Sequence, residues 1–231
     1  MKKLTFTILI CCIFILLGKA RLMAEDVYNI SQYFPLEVDD TWVYRVTLIQ
    51  DVGYSEYVAM SSIKEKSILD GREIYAFENN LNEKPLFYYS KDGGGIYLHK
   101  IIEDESYSIF SPPGVFLTNQ MQLNKENIFS GKAKLYDNKG ELIEEYKVEM
   151  KNKLDGIENI TVPGGTFENC LRINSFTNFY KKRNTMTVEQ TIWLAKNVGK
   201  VKEQNLITVY NGEPHTFRNR LVLEKVMLEV K

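Results

Sequence analysis

The sequence predicts a mostly β, antiparallel fold: an antiparallel sheet, open barrel or sandwich with few short helices. Three observations carry this. Apolar and polar residues alternate with a period of two along much of the chain after residue 40. Turn signals rich in Gly, Asn, Asp and Pro recur every 8–14 residues. No window of twelve or more residues combines a 3.6-residue apolar period with helix caps.

The first 24 residues stand apart. Lys2 and Lys3 precede an uncharged run from Leu4 to Leu17, and the small residues Gly18, Ala20 and Ala24 follow. This is the layout of a secretory signal peptide. The run is shorter than the roughly 20 residues a spanning helix needs. Cleavage is expected after Ala20 or Ala24, with Ala24 preferred because Lys19 and Arg21 then leave too; an uncleaved anchor is the alternative. The expected organisation is a signal peptide at 1–24 and one exported β-rich domain at 25–231. A faint echo between Tyr88–Gly94 and Ile192–Gly199 suggests two related halves, about 25–111 and 131–231.

Strands are expected in order. Trp42, Tyr44, Val46 and Leu48 form one face of the first; Tyr54–Ile63 and Ile74–Phe77 follow. Leu86–Ser90 and Ile96–Ile102 make a hairpin around Lys91–Gly95, whose glycines read as a flexible tip. Tyr107–Phe110 is expected to stop at Pro112-Pro113, with an irregular connection over 112–130. Short helical pieces are expected near 29–33 and 122–129. Lys132–Tyr136 and Leu142–Lys151 flank the turn Asp137–Gly140. Ile157–Val162, Thr166–Phe179, Met186–Leu194, Lys200–Tyr210 and Thr216–Val230 complete the chain, with Asn211-Gly212 turning the last pair.

Composition excludes several functions. The 231 residues carry 29 Lys+Arg, 30 Asp+Glu and 28 aromatics. Disorder is ruled out by the aromatics, and nucleic-acid binding is disfavoured by a net charge of −1. Without residues 1–24 the chain has 25 bases and 30 acids, a net charge of −5. One thiol remains, Cys170, so no intrachain disulfide is expected; it reads as a buried or half-buried small hydrophobe.

Hydroxyl nucleophiles need a base. His99 and His215 are available, and both read as surface or rim residues. Glu103-Asp104-Glu105 and Asp39-Asp40 lack metal-ligand spacing and read as solvated turns. No phosphate or dinucleotide fingerprint occurs. Neither cofactor nor metal is expected.

Three stretches resemble exported bacterial β-rich proteins that lack an assigned activity. They are Tyr33-Phe34-Pro35-Leu36 with Trp42-Val43-Tyr44, the run Thr161–Ile173, and Trp193-Leu194-Ala195 with Val198-Gly199-Lys200-Val201-Lys202. Such proteins often carry Gly where this chain has Asp39 or Asp40. The resemblance implies a secreted or envelope-associated β domain and carries over no catalytic residue.

The expected function is a non-catalytic exported bacterial protein, periplasmic, cell-surface or secreted, that binds an apolar ligand or a partner. The candidate contacts are Phe87, Tyr88, Tyr89 and Tyr97, because neighbouring strand positions face opposite ways and cannot all be core. Candidate partners are lipid, glycan or an envelope protein; nucleic acid is not one, and the membrane is met only through the signal segment during export. The alternatives are a structural envelope component without ligand and a glycan-acting hydrolase, whose paired carboxylates leave no local signature.

Overall fold

The alternating segments pair with one another in chain order. The computed structural model describes residues 26–50, 53–80, 86–103, 105–210 and 217–230; of the side chains in 217–230, it describes Val226 and Met227. Among these residues lie fourteen strands: β1 (Val27–Asn29), β2 (Thr41–Gln50), β3 (Gly53–Leu69), β4 (Arg72–Asn79), β5 (Phe87–Asp92), β6 (Gly95–Ile102), β7 (Ser106–Thr118), β8 (Gln120–Gln122), β9 (Glu126–Asp137), β10 (Leu142–Val162), β11 (Gly165–Tyr180), β12 (Thr185–Ala195), β13 (Gly199–Tyr210) and β14 (Phe217–Val230). A 3₁₀ turn, Ile30–Gln32, follows β1.

Twelve of these strands form a closed antiparallel barrel, β2 to β7 and then β9 to β14, each bonded to the next. The barrel closes where β14 pairs with β2, from Val222 opposite Ile49 to Val230 opposite Trp42. The outcome is therefore a closed barrel, not an open one or a sandwich. The pairing that decides this joins the two ends of the chain and leaves no local signal. Strands from both expected halves belong to one continuous sheet.

Period-two alternation sorts side chains to the two faces. In β10, Tyr146, Val148, Met150, Asn152 and Leu154 are buried inside, while Glu145, Lys147 and Lys151 are exposed outside. In β2, Trp42, Tyr44 and Val46 point in and Arg45 out. Full burial of each such apolar side chain is worth about 1.5–3 kcal/mol.

One end of the barrel is plugged by residues 26–40. Ile30 is fully buried, with Tyr33 and Leu36 nearly so. The amide of Ile30 donates to the Asn119 carbonyl at 2.8 Å, Lys91 Nζ to the Ser31 carbonyl at 2.8 Å, and the amide of Asn197 to the Gln32 carbonyl at 2.7 Å. Trp42 Nε1 donates to the Val198 carbonyl at 2.7 Å. Gly199 lies at φ +99°, and a Cβ there would sit 3.3 Å from Pro35 Cδ and 3.5 Å from Trp42 Nε1. The first and third of the resembling stretches thus meet at this plug. Asp39 holds a φ of 76°, the left-handed conformation that glycine adopts most easily.

Several sequence expectations are corrected. The prolines do not end β7. The ladder passes from Lys100 opposite Ile109 to Leu98 opposite Gly114, so Phe110–Pro113 bulge out against His99. A proline without an N–H is tolerated at such a bulge; the Ser111–Pro112 bond is cis. Residues 122–129 are not helical: β8 pairs with β1, Asn124 turns at φ 63°, and β9 begins at Glu126. Ile157–Val162 is not a separate strand, because β10 runs through Asp155-Gly156 as a bulge. The glycine tip at 93–95 is tied down: the Asn119 amide donates to the Gly94 carbonyl at 2.9 Å and Asn119 Nδ2 to the Gly93 carbonyl at 3.2 Å. Asn211-Gly212 lies outside the described residues.

Candidate functional site

A cavity of about 480 Å³ occupies the barrel interior. One wall is aromatic. Phe34 from the plug meets Tyr89 and Phe116 edge-on, each at 5.9 Å between ring centroids. Phe77 stacks on Trp42 at 6.1 Å and meets Tyr89 edge-on at 5.3 Å. Phe87 continues the patch 6.0 Å from Tyr89. These rings come from β2, β4, β5 and β7, whose inward positions fall at similar heights: Phe77 is opposite Phe87, and Tyr75 opposite Tyr89.

The facing wall carries a polar row. Asn152 on β10 is opposite Ser175 on β11, Ser175 opposite Gln190 on β12, and Gln190 opposite Asn205 on β13. All four line the cavity. Mostly apolar residues flank the row: Met150, Val188 and Ile207 with Thr177 at one level, Leu154, Ile173 and Ile192 at the other. Two positions from Asn205, Glu203 also faces in and is 3% exposed. Its carboxylate accepts from Lys200 Nζ, from Gln190 Nε2 at 2.9 Å and from Asn205 Nδ2. A buried carboxylate needs such partners. Burial and the nearby Glu203 charge push the Tyr44 and Tyr89 hydroxyls well up, so both stay protonated. The Tyr44 hydroxyl donates to the Lys200 carbonyl at 2.9 Å.

Charged residues mark the cavity end away from the plug. Lys181 Nζ lies 3.8 Å from Glu103 and 5.5 Å from the centre of the Tyr146 ring. Tyr146 donates to Ser108 Oγ at 2.8 Å, and burial raises its pKa to about 12. Glu103, read from sequence as part of a solvated turn, is exposed in such a turn with Ser106 and also borders the cavity beside Lys181.

The candidate contacts divide between the two faces. Phe87 and Tyr89 line the cavity. Tyr88 and Tyr97 face outward, with Lys100 Nζ 5.5 Å from the Tyr88 ring centre and the Arg72 guanidinium 5.9 Å from that of Tyr97. Of the aromatic residues near the end of β11, Phe179 is buried on the cavity wall, while Phe176 and Tyr180 are exposed. His99 is not a rim residue: it is 3% exposed, with Nε2 2.7 Å from Ser90 Oγ. Burial, then the Arg72 charge, lower its pKa. His215 lies outside the described residues. Cys170 is fully buried, and burial raises its thiol. Its neighbour Asn169 takes a φ of 52°, which breaks the alternation and buries Cys170 and Leu171 together.

The sequence model of a DUF3108-like family matches residues 113–208. That segment runs from β7 to β13 and contains the whole polar row. No curated protein matches the chain. Several solved structures are similar to it, among them the following three. The first is a protein of Bacteroides fragilis, described as exported and of YmcC-like fold (TM-score 0.48, 13% identity, 86% of this chain and 98% of that one). The second, from Parabacteroides distasonis, is described as a lipoprotein (TM-score 0.43, 18% identity, 90% and 100%). The third is the hypothetical lipoprotein YmcC of Escherichia coli (TM-score 0.39, 8% identity, 81% and 84%).

Sequence reasoning missed the polar row and Glu203. A parity signal existed within residues 113–208. Asn152 shares its strand face with Val148, Met150 and Leu154, and Glu203 and Asn205 share theirs with Val201 and Ile207. Polar residues in an inward register mark either a satisfied core network or a lined cavity.

Proposed function

We propose that this is a non-catalytic exported protein of the cell envelope or extracellular space that holds an apolar ligand inside its barrel. The observation that carries this reading is the aromatic-walled cavity of about 480 Å³, within the roughly 300–1,000 Å³ typical of ligand pockets. Rings facing empty space lack contact partners on one side, and a ligand restores them. Among the described residues, the placement of Cys170 and His99 supports a non-catalytic role: neither lines the cavity, and burial suppresses the charged form of each.

Native mass spectrometry of the purified protein, with organic extraction of bound species, tests this reading. An apolar adduct is expected. Ala59→Phe, which fills the cavity next to Tyr44 and Tyr57, should reduce the adduct, and the outward Tyr88→Ala should leave it unchanged. A protein that is empty in every preparation and takes up no neutral apolar dye leaves the structural-component reading in its place.

A further inference from the structure

The amide carbonyls of Asn152 and Asn205 have no hydrogen-bond partner, although both oxygens are buried. Their orientation is fixed by their other ends. Asn152 Nδ2 donates to the Phe116 carbonyl at 2.7 Å, and Asn205 Nδ2 donates to the Glu203 carboxylate. Both partners only accept, so each amide nitrogen must face its partner and each oxygen must face away. A buried acceptor without a donor is costly in a native structure, and few are retained. Here two occur at the ends of one row, on the wall opposite the aromatic rings.

The charges limit the complementary ligand further. The two cations lining the cavity both have acidic partners: Lys200 has Glu203, and Lys181 has Glu103. An anionic head group would meet each of these cations with a carboxylate already beside it. A pure hydrocarbon would leave both carbonyls unmet.

We infer that the ligand is a neutral amphiphile: its apolar body lies on the Phe34–Phe77–Tyr89–Phe116 wall, and its hydroxyl or amide N–H groups donate to Asn152 and Asn205. This inference rests on the binding reading above and specifies the chemistry of that same cavity.

The test uses the whole exported domain and a neutral dye, N-phenyl-1-naphthylamine, displaced in turn by monolauroylglycerol, laurate and dodecane. Monolauroylglycerol should displace it at concentrations about tenfold below either competitor, the worth of one to two net hydrogen bonds. In Asn152→Leu and Asn205→Leu the dye should still bind, and most of that tenfold preference should disappear. Each variant also removes the Nδ2 donation to the Phe116 carbonyl or the Glu203 carboxylate, so the preference among competitors, not the melting point, is the deciding readout. Equal displacement by all three competitors, or a preference for laurate, overturns the inference and leaves the binding reading standing. A variant that melts lower and keeps the preference makes these amides structural and also overturns it. Failure of the wild type to take up the dye overturns both readings.

Discussion

His99 couples the protein's stability to pH. Its ring is buried against Ser90, with Arg72 disfavouring the imidazolium and Asp70 favouring it less strongly. Its folded pKa therefore lies below the free value of 6.5, and the unfolded chain takes up the proton first. Stability is full above that value and declines as the pH falls through it. Thermal unfolding at about pH 7.5 and about pH 5.5 should show a lower midpoint in acid, and His99→Gln should reduce the difference. The alternation of Ile96–Lys100 placed His99 opposite Leu98 but could not show what covers it, because the bulge at Phe110–Pro113 and the hydroxyl of Ser90 come from other strands. Cys170 was easier to read, since a small thiol between Phe167 and Ile173 suits a core in either orientation. Leu154, fully buried on the inward face of β10, calibrates the core: Leu154→Ala should cost about 2–5 kcal/mol in urea unfolding.

Among the elements, strands with clean alternation were legible and their interruptions were not. Thr185–Ala195 and Gly199–Tyr210 fall within a residue of their expected bounds, because alternation and a short turn act locally. The bulge at Asp155 was not legible, since a Gly after an Asp reads equally well as a turn. It survives inside β10 because Asp155 takes an ion pair from Lys153 and another from Arg172, each at 3.0 Å. Arg172 also reaches Glu158, which accepts from Trp193 Nε1 at 2.7 Å. The turn entering β13 is constrained from both sides, by its left-handed backbone and by Pro35 and Trp42. Gly199→Ala should therefore cost roughly 1–3 kcal/mol, measured by urea unfolding, and the emission of Trp42 should change with it. The aromatic wall was half legible for the same reason: strand parity separated Tyr88 from its neighbours but did not say which face was the inside.

At the scale of the whole molecule, closure depends on the last strand. Without β14, β13 and β2 would each present a bare edge, the template for pairing with another chain. A protein ending after Tyr210 should elute as oligomers or aggregate on size exclusion; a soluble monomer with the same β signature would contradict the barrel's closure. The plug at residues 26–40 and β2 come first in the chain, yet β2 finds its second neighbour only in Phe217–Val230. Long-range pairing of this kind is slow, because the loop must close before the contacts reward it. For a chain synthesised from its N-terminus, that delay orders assembly. No length of emerging polypeptide that stops short of Phe217–Val230 can complete the ring, so the cup forms only once its last staves have left the ribosome.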